Sequence, residues 1–383
     1  MHRVDTIVVG LGAMGACALE ALARRGVRAV GLDRFAPPHA RGSSHGGSRV
    51  IRLSYFEHPD YVPLLREAYE GFDRLSRDAG ERLRHETGLV VGGPPGSVIA
   101  EGMRRSAALH DLAVEAMDGA ALVRRFPQFD APPDWEVVFE ARGGFVRPEA
   151  TIRAALASAV AHGARIEPEC AALAWRAEGG GVVVESERGT FAGRALVLAG
   201  GAWMRGLAGA GAGALAASLE VTRQTIVWID DGGARALSEA ELPVWLFDRG
   251  ERPAVYGIPS FDGMGEPRGM KVALHGGGPA CAPEAIDDAV DPARVDETLA
   301  ATIERIPALH GHAPVAARHC LYTMSRDEHF VLGLHPAHAN VAIACGFSGH
   351  GFKFAPVVGE ILADLATDGR TRRPIDFLSP ARA

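Results

Sequence analysis

Apolar, β-branched runs alternate with alanine- and leucine-rich stretches over the first part of the chain. Residues 6–9 (TIVV) predict a strand buried on both faces, as a parallel sheet requires. Gly10-Leu11-Gly12-Ala13-Met14-Gly15 follows, residues 16–25 have helical composition, and residues 27–32 predict a second strand ending on Asp33. Residues 148–162 predict another helix, with Pro148 in a first turn that needs no N–H and Gly163 at its end. Strand-like pieces follow at 181–185 and 194–198, and the Gly/Ala-rich stretch 206–213 reads as a loop or a domain crossover.

The pattern changes near residue 219. TRQTIVWID, PVWLF, AVYGIPSF and GMKVALH are short strand-like runs between turn residues, as in an antiparallel sheet, and they end at about residue 274. Residues 295–305 look helical. After about residue 318 the alternation of strand, loop and helix returns: NVAIACGF enters a glycine-rich loop, and residues 357–365 predict a closing helix. The expected fold class is α/β, with a Rossmann-type nucleotide-binding domain assembled from residues 1–85, 145–215 and 320–383. A largely antiparallel β (α+β) substrate domain, residues 86–144 and 216–319, is inserted between these segments.

Composition agrees with two domains and narrows the class. A chain of 383 residues exceeds one ordinary core, and 47% hydrophobic with 23% charged residues is the profile of a folded enzyme. With 40 basic against 47 acidic residues, a net charge of −7 and no long basic run, nucleic acid is not an expected partner. No apolar stretch approaches the roughly 20 residues that span a bilayer, so no membrane partner is expected either. MHRVDTIVVGLGAMG enters the first βα unit too soon for a secretory signal, which makes the cytoplasm the expected location. The five cysteines (Cys17, Cys170, Cys281, Cys320, Cys345) include no C-x-x-C pair, so neither a disulfide framework nor a metal site is indicated.

A lone GxGxxG carries little weight, but here a strand precedes it, a helix follows it, and Asp33 closes the second strand. Gly10 permits the tight turn, Gly12 lets the backbone approach a pyrophosphate, and Gly15 allows close helix packing. Free N–H groups at the helix start favour the negative charge, and Asp33 can accept from ribose hydroxyls. The motif alone does not choose between NAD and FAD. A second element, LVLAGGAW at 196–203, brings Gly201 and Trp203 to the end of an apolar strand. It resembles the later signature of FAD-dependent oxidoreductases, although an ordinary strand and turn would read the same way.

Five blocks in order make the resemblance far more specific: PPHARGSSHGGSRVIR (37–52), YGIPSF (256–261), KVALH (271–275), CLYTMSRDEHFVLGLHP (320–336) and GFSGHGFKFAPVVGE (346–360). Across nearly its whole length the chain resembles the monomeric sarcosine oxidase family of N-methyl amino acid oxidases, within the D-amino-acid-oxidase-like FAD oxidoreductases. The resemblance implies FAD held covalently by Cys320, whose thiolate is a competent nucleophile toward the flavin methyl carbon. A buried cysteine acting as a small hydrophobe is the alternative. It also places His45 and Arg49 beside the flavin ring, with Gly349 and Phe352 in the glycine-rich block near it.

Arg52 and Lys353 are implied as the pair that binds a substrate carboxylate, a planar fork and a point charge. Lys271 is implied as the cation that activates oxygen, and Tyr256 and His275 as lining of the substrate cavity. Lys271 and His275 stand four apart on an expected strand, hence on one face. The implied activity is a flavin-dependent oxidase of CH–NH donors: sarcosine, O2 and water give glycine, formaldehyde and hydrogen peroxide, on one monomeric chain.

The chain departs from the family pattern at Ser44, where the family has a histidine, at Val255 before Tyr256, where paired tyrosines are usual, and at Phe247, near a pocket methionine. These changes bear on substrate side-chain size, so N-methyltryptophan, pipecolate and proline stay open as substrates. A dehydrogenase with another electron acceptor, and a flavin-binding accessory protein without catalysis, are the remaining alternatives.

Overall fold

One sheet with two buried faces carries the nucleotide-binding half. In this computed structural model, which describes every residue except 1, 210, 262, 264, 266, 286–288 and 383, the strand Thr6–Val9 is fully buried. Its side chains divide by period two: Val8 packs into a helical core, while Ile7 and Val9 pack into the opposite layer. Val197 and its neighbours Leu196 and Leu198 divide in the same way.

The sheet runs Arg165–Glu167, Ala29–Leu32, Thr6–Val9, Ala195–Leu198, His338–Cys345, Val331–His335. The first five strands are parallel and the last pair is an antiparallel hairpin. Helices Ala13–Arg24, Pro148–Ala161 and Ala355–Asp368 cover one face. A β-meander of Ala172–Glu178, Gly181–Ser186 and Gly189–Gly193 covers the other. Nineteen residues, Tyr61–Ala79, form a further helix behind the helical layer, absent from the sequence-based expectations. Its buried stripe, with Tyr61, Leu64, Leu65, Ala68, Phe72 and Leu75, follows three- and four-residue spacing.

The second half is an eight-stranded sheet in the order Pro314–Met324, Glu220–Ile229, Met270–Leu274, Arg252–Ile258, Val244–Arg249, Leu89–Gly93, Glu136–Glu140, Glu115–Asp118. All neighbours are antiparallel except Val244–Arg249 with Leu89–Gly93. The expected antiparallel strands are therefore present, but the boundary drawn at 320 falls inside a strand. Pro314–Met324 pairs with Glu220–Ile229 as far as Met324, because ending the ladder at Cys320 would leave backbone groups unpaired. The stretch 206–213, expected as loop, is bracketed by short helices Met204–Leu207 and Gly213–Ser218.

One face of this sheet packs an aromatic core that includes Trp135, Trp245 and Phe247. The other face turns Ile226, Ala273 and Cys320 toward the nucleotide-binding half. Among the described residues no helix is long and apolar enough to cross a membrane, and no cluster of three or more His, Cys, Asp or Glu could hold a metal ion.

The helices Ala13–Arg24 and Ala355–Asp368 meet at Gly359, where a Cβ would stand 2.5 Å from the Cys17 carbonyl carbon. Gly359→Ala should therefore cost about 1–3 kcal/mol by overpacking, read as a lower Tm in thermal unfolding of the holoprotein.

Candidate active site

A cavity of about 450 Å³ extends from the glycine turn to the junction of the two sheets. Gly10 has φ +88°, and a Cβ there would lie 2.5 Å from the Ala199 carbonyl oxygen. A Cβ on Gly15 would lie 1.7 Å from the Gly10 oxygen, so the helix can start this close to the turn only without a side chain. A Cβ on Gly12 would meet only Ser44 Oγ, at 3.8 Å, which leaves that backbone open to the cavity. Asp33 accepts hydrogen bonds from the N–H of Leu11 (2.6 Å) and of Phe35 (2.8 Å), tying turn and strand end together. Across the cavity stand Gly201, at φ +54°, and Trp203.

These residues fit a flavin dinucleotide. The N-cap Gly12 offers no side chain to the first helical turn, and open backbone there suits a pyrophosphate. Trp203 Nε1, on the wall of this cavity, is buried without a protein partner, a donor that a polar cofactor can satisfy.

A second cavity, about 70 Å³, shares Arg49, Tyr322, Gly349 and Phe352 with the first as a common wall. Arg49 donates to the Ser43 and Ser48 carbonyls at 2.8 Å each and to Cys320 Sγ at 3.4 Å, which sets a permanent cation on that sulfur. Gly349 has φ +81°, and a Cβ there would stand 2.2 Å from the Tyr322 ring. The tyrosine can lie against the backbone only because that position is glycine. Its hydroxyl reaches Tyr256 and His275 Nδ1, the latter at 3.3 Å.

At the far end of the small cavity, Arg52 donates to both oxygens of Glu57 at 2.8 Å and lies between the rings of Tyr55 and Phe56, 4.3 and 4.2 Å from their centroids. Lys353 Nζ donates to the His350 carbonyl at 2.9 Å. Burial would raise the Glu57 pKa, but the charges of Arg52, His350 and Lys353 outweigh it and hold the carboxyl at about 2. Burial, then repulsion from Arg52, pulls Lys353 down to about 7. Burial also keeps His275 neutral, at about 4, and His350 neutral, at about 3. Below pH 7 Arg52 and Lys353 thus exceed the Glu57 carboxylate by one positive charge, and Arg49 on the shared wall adds another, a field that favours an anionic ligand.

Lys271 is fully buried on the strand Met270–Leu274 and lies on the wall of neither cavity. Its Nζ donates to the carbonyls of Gly46 (3.1 Å) and Ser48. Burial, then Arg49, pushes its pKa well below the ordinary lysine value. His45 is held at about 3 by burial and then by Arg49 and Lys271.

The structure thus brings Arg49, Arg52, Tyr256, His275, Cys320, Gly349, Phe352 and Lys353 around one small space, with Gly10, Gly12, Asp33, Gly201 and Trp203 along the larger one. Gly15, His45 and Lys271 stand behind these walls. Glu57, Tyr322 and Gln224 line the small cavity without having been expected there. Tyr322 was accessible from period two, since it shares a strand face with Cys320, whereas Glu57 sits in an irregular loop with no spacing signal. Phe247 and Val255 correct an expectation: both point into the aromatic core behind the sheet, so Leu246 and Tyr256 size the cavity instead. Adjacent strand positions face opposite sides.

Residues 5–365 match the family model described as FAD dependent oxidoreductase. The chain belongs to this family. Monomeric sarcosine oxidase from Streptomyces avermitilis is 40% identical over 99% of this chain and 97% of its own length. N-methyl-L-tryptophan oxidase from Salmonella arizonae is 32% identical over 99% and 98%. In three dimensions this FAD-dependent oxidoreductase is similar to NikD, an amino acid oxidase of nikkomycin biosynthesis (TM-score 0.84, 23% identity, 99% and 98% covered). The glycine oxidase of Geobacillus kaustophilus has a TM-score of 0.81 at 20% identity, with 100% of both chains covered. The Rossmann-type α/β fold, the flavin cofactor and the enzymatic character expected from the sequence hold.

If Lys353 supplies the excess charge, a carboxylate without an ionisable amine should bind well at low pH and lose affinity as pH rises through about 7. Acetate titrated against the visible spectrum of the holoenzyme measures this. Lys353→Met should weaken acetate more than about tenfold and abolish the pH step, as expected for loss of a charged hydrogen bond.

Proposed function

We propose that this enzyme oxidises sarcosine, with oxygen and water, to glycine, formaldehyde and hydrogen peroxide. The observation that carries the reading is the convergence of Arg52 and Lys353 on a cavity of about 70 Å³ that shares a wall with the dinucleotide cavity. At roughly 10–15 Å³ per water, that space suits five or six non-hydrogen atoms, the size of an amino acid with no side chain and one N-methyl group. An indole would have to displace the walls. Similarity to sarcosine oxidases and to N-methyltryptophan oxidases supports the N-methyl amino acid class.

Bound FAD supplies two-electron acceptance from a CH–NH bond and delivery of those electrons to oxygen. The chain supplies position and charge. Arg52 and Lys353 hold the substrate carboxylate, so the N-methyl end faces Tyr256, Tyr322 and His275. A neutral His275 accepts a hydrogen bond without repelling the amine. Tyr55, Phe56 and Phe352 exclude water, which strengthens each charged contact. Lys271 lends positive charge where oxygen is reduced, an electrostatic effect of the oxyanion-hole kind. Cys320, with Arg49 on its sulfur, is the proposed attachment point of the flavin, and the complete residue set on one chain supports a monomer.

Peroxide release in air, with sarcosine set beside N-methyltryptophan, pipecolate, proline and glycine, tests the substrate. Sarcosine should lead the series by more than about tenfold in kcat/KM, the scale at which a poorly fitting group is rejected. A bulkier leader would overturn the choice of substrate, and flavin bleaching without peroxide would favour another electron acceptor. For the attachment, acid precipitation of the wild-type protein should leave the yellow colour in the pellet, and Cys320→Ala should release it to the supernatant.

A further inference from the structure

We propose that Glu149 is the counterion of Lys271, acting through the peptide that joins Gly46 to Gly47. This rests on the oxygen role given to Lys271 above and extends it to a residue outside both cavities. Lys271 is completely buried, and its Nζ donates to the carbonyl oxygens of Gly46 and Ser48 rather than to a carboxylate. On the far side of the same loop, Glu149 accepts from the N–H of Gly46 at 2.7 Å and from the N–H of Gly47 at 3.3 and 3.2 Å.

The peptide unit between Gly46 and Gly47 therefore gives its N–H to a carboxylate and its C=O to an ammonium. Hydrogen bonds in such a chain polarise one another, so negative charge at one end supports positive charge at the other. Both glycines take left-handed backbone, φ +91° and +77°, which lets the N–H groups and the carbonyl point to opposite sides within three residues.

The surrounding charges show why this support is needed. Arg49, on the strand Arg49–Ile51, repels the lysine and donates to the same Ser48 oxygen. His45, in the loop before it, is neutral. Cys320, across on Pro314–Met324, and Glu149, in the first turn of Pro148–Ala161, act in the opposite sense to Arg49. Cys320 reaches Lys271 only through the repelling Arg49 and the shared Ser48 carbonyl, whereas Glu149 reaches it through the neutral Gly46–Gly47 peptide with no cation between. The competing explanation is a helix N-terminal carboxylate with no function beyond complementing the dipole.

A double-mutant cycle read by binding separates the two. Sulfite affinity of the oxidised holoenzyme, followed by loss of visible absorbance across pH, reports positive charge near the flavin. In the wild-type background, Glu149→Gln should move the loss of binding to lower pH. Above the midpoint it should weaken sulfite about tenfold, the effect of one unit in the lysine pKa. Glu149→Asp, which keeps the charge, should restore most of that shift. In the Lys271→Met background, Glu149→Gln should change affinity less than about twofold, because its effect passes through the lysine.

Equal losses in both backgrounds, or none in either, would overturn the proposal. Should Glu149→Gln fail to fold, Glu149→Ala, which also removes the charge, taken through both backgrounds completes the cycle. Reoxidation of reduced Lys271→Met by oxygen is a separate measurement. A rate equal to wild type would remove the oxygen role while the sulfite cycle still decides the coupling.

Discussion

Positive charge kept out of water is the constraint on which the rest of this site depends. Arg52, Lys271 and Lys353 are buried, and Arg49 is half-buried between them. Each would cost several kcal/mol in an unrelieved apolar interior. Relief comes in three forms: a direct carboxylate at Glu57, aromatic faces against Arg52, and backbone carbonyls at Gly46, Ser43, Ser48 and His350. None of these partners is a spare surface acid. The site is consequently a pre-formed field, one that a small anion completes and an apolar ligand cannot.

That field exists only because two unrelated sheets are brought face to face. Beyond the parallel sheet, the short strand Arg49–Ile51 and the residue after it carry Arg49 and Arg52, and the segment after His338–Cys345 carries Lys353, while the eight-stranded sheet presents Lys271, Cys320 and Tyr322. Glu140 shows how tightly the seam is held: its buried carboxylate accepts from the N–H groups of Leu53 and Ser54 at 2.7 and 2.8 Å, pinning the strand exit just after Arg52. Glu149 does the same for the glycine pair at 46–47. Two acids thus hold the two ends of the segment that carries both arginines, and that segment lines both the larger and the smaller cavity.

Particular residues mark how far the linear pattern could reach. Thr6–Val9, Glu220–Ile229 and Pro148–Ala161 announce themselves because burial on one or two faces forces a period, and a period survives in one dimension. The pairing of Pro314–Met324 does not, since a strand's partner depends on chain brought back from elsewhere. Phe247 and Val255 make the same point within a strand: neighbouring positions face opposite sides, so proximity to a pocket in sequence says little about which side chain lines it. Glu57 lies in an irregular loop, where no period operates.

What the sequence determined by itself is the local chemistry and its order. The glycine turn with Asp33 was legible because backbone geometry permits few residues there. Arg52, Lys271, Cys320 and Lys353 stand out as candidates through blocks resembling a known family. What only the tertiary structure decided is which charges meet. Glu57 beside Arg52, Arg49 on the Cys320 sulfur, and Glu149 behind the peptide that Lys271 touches are separated by 5, 271 and 122 residues from their partners. Electrostatic energy depends on distance and burial in space, and neither is written in the order of residues along a chain.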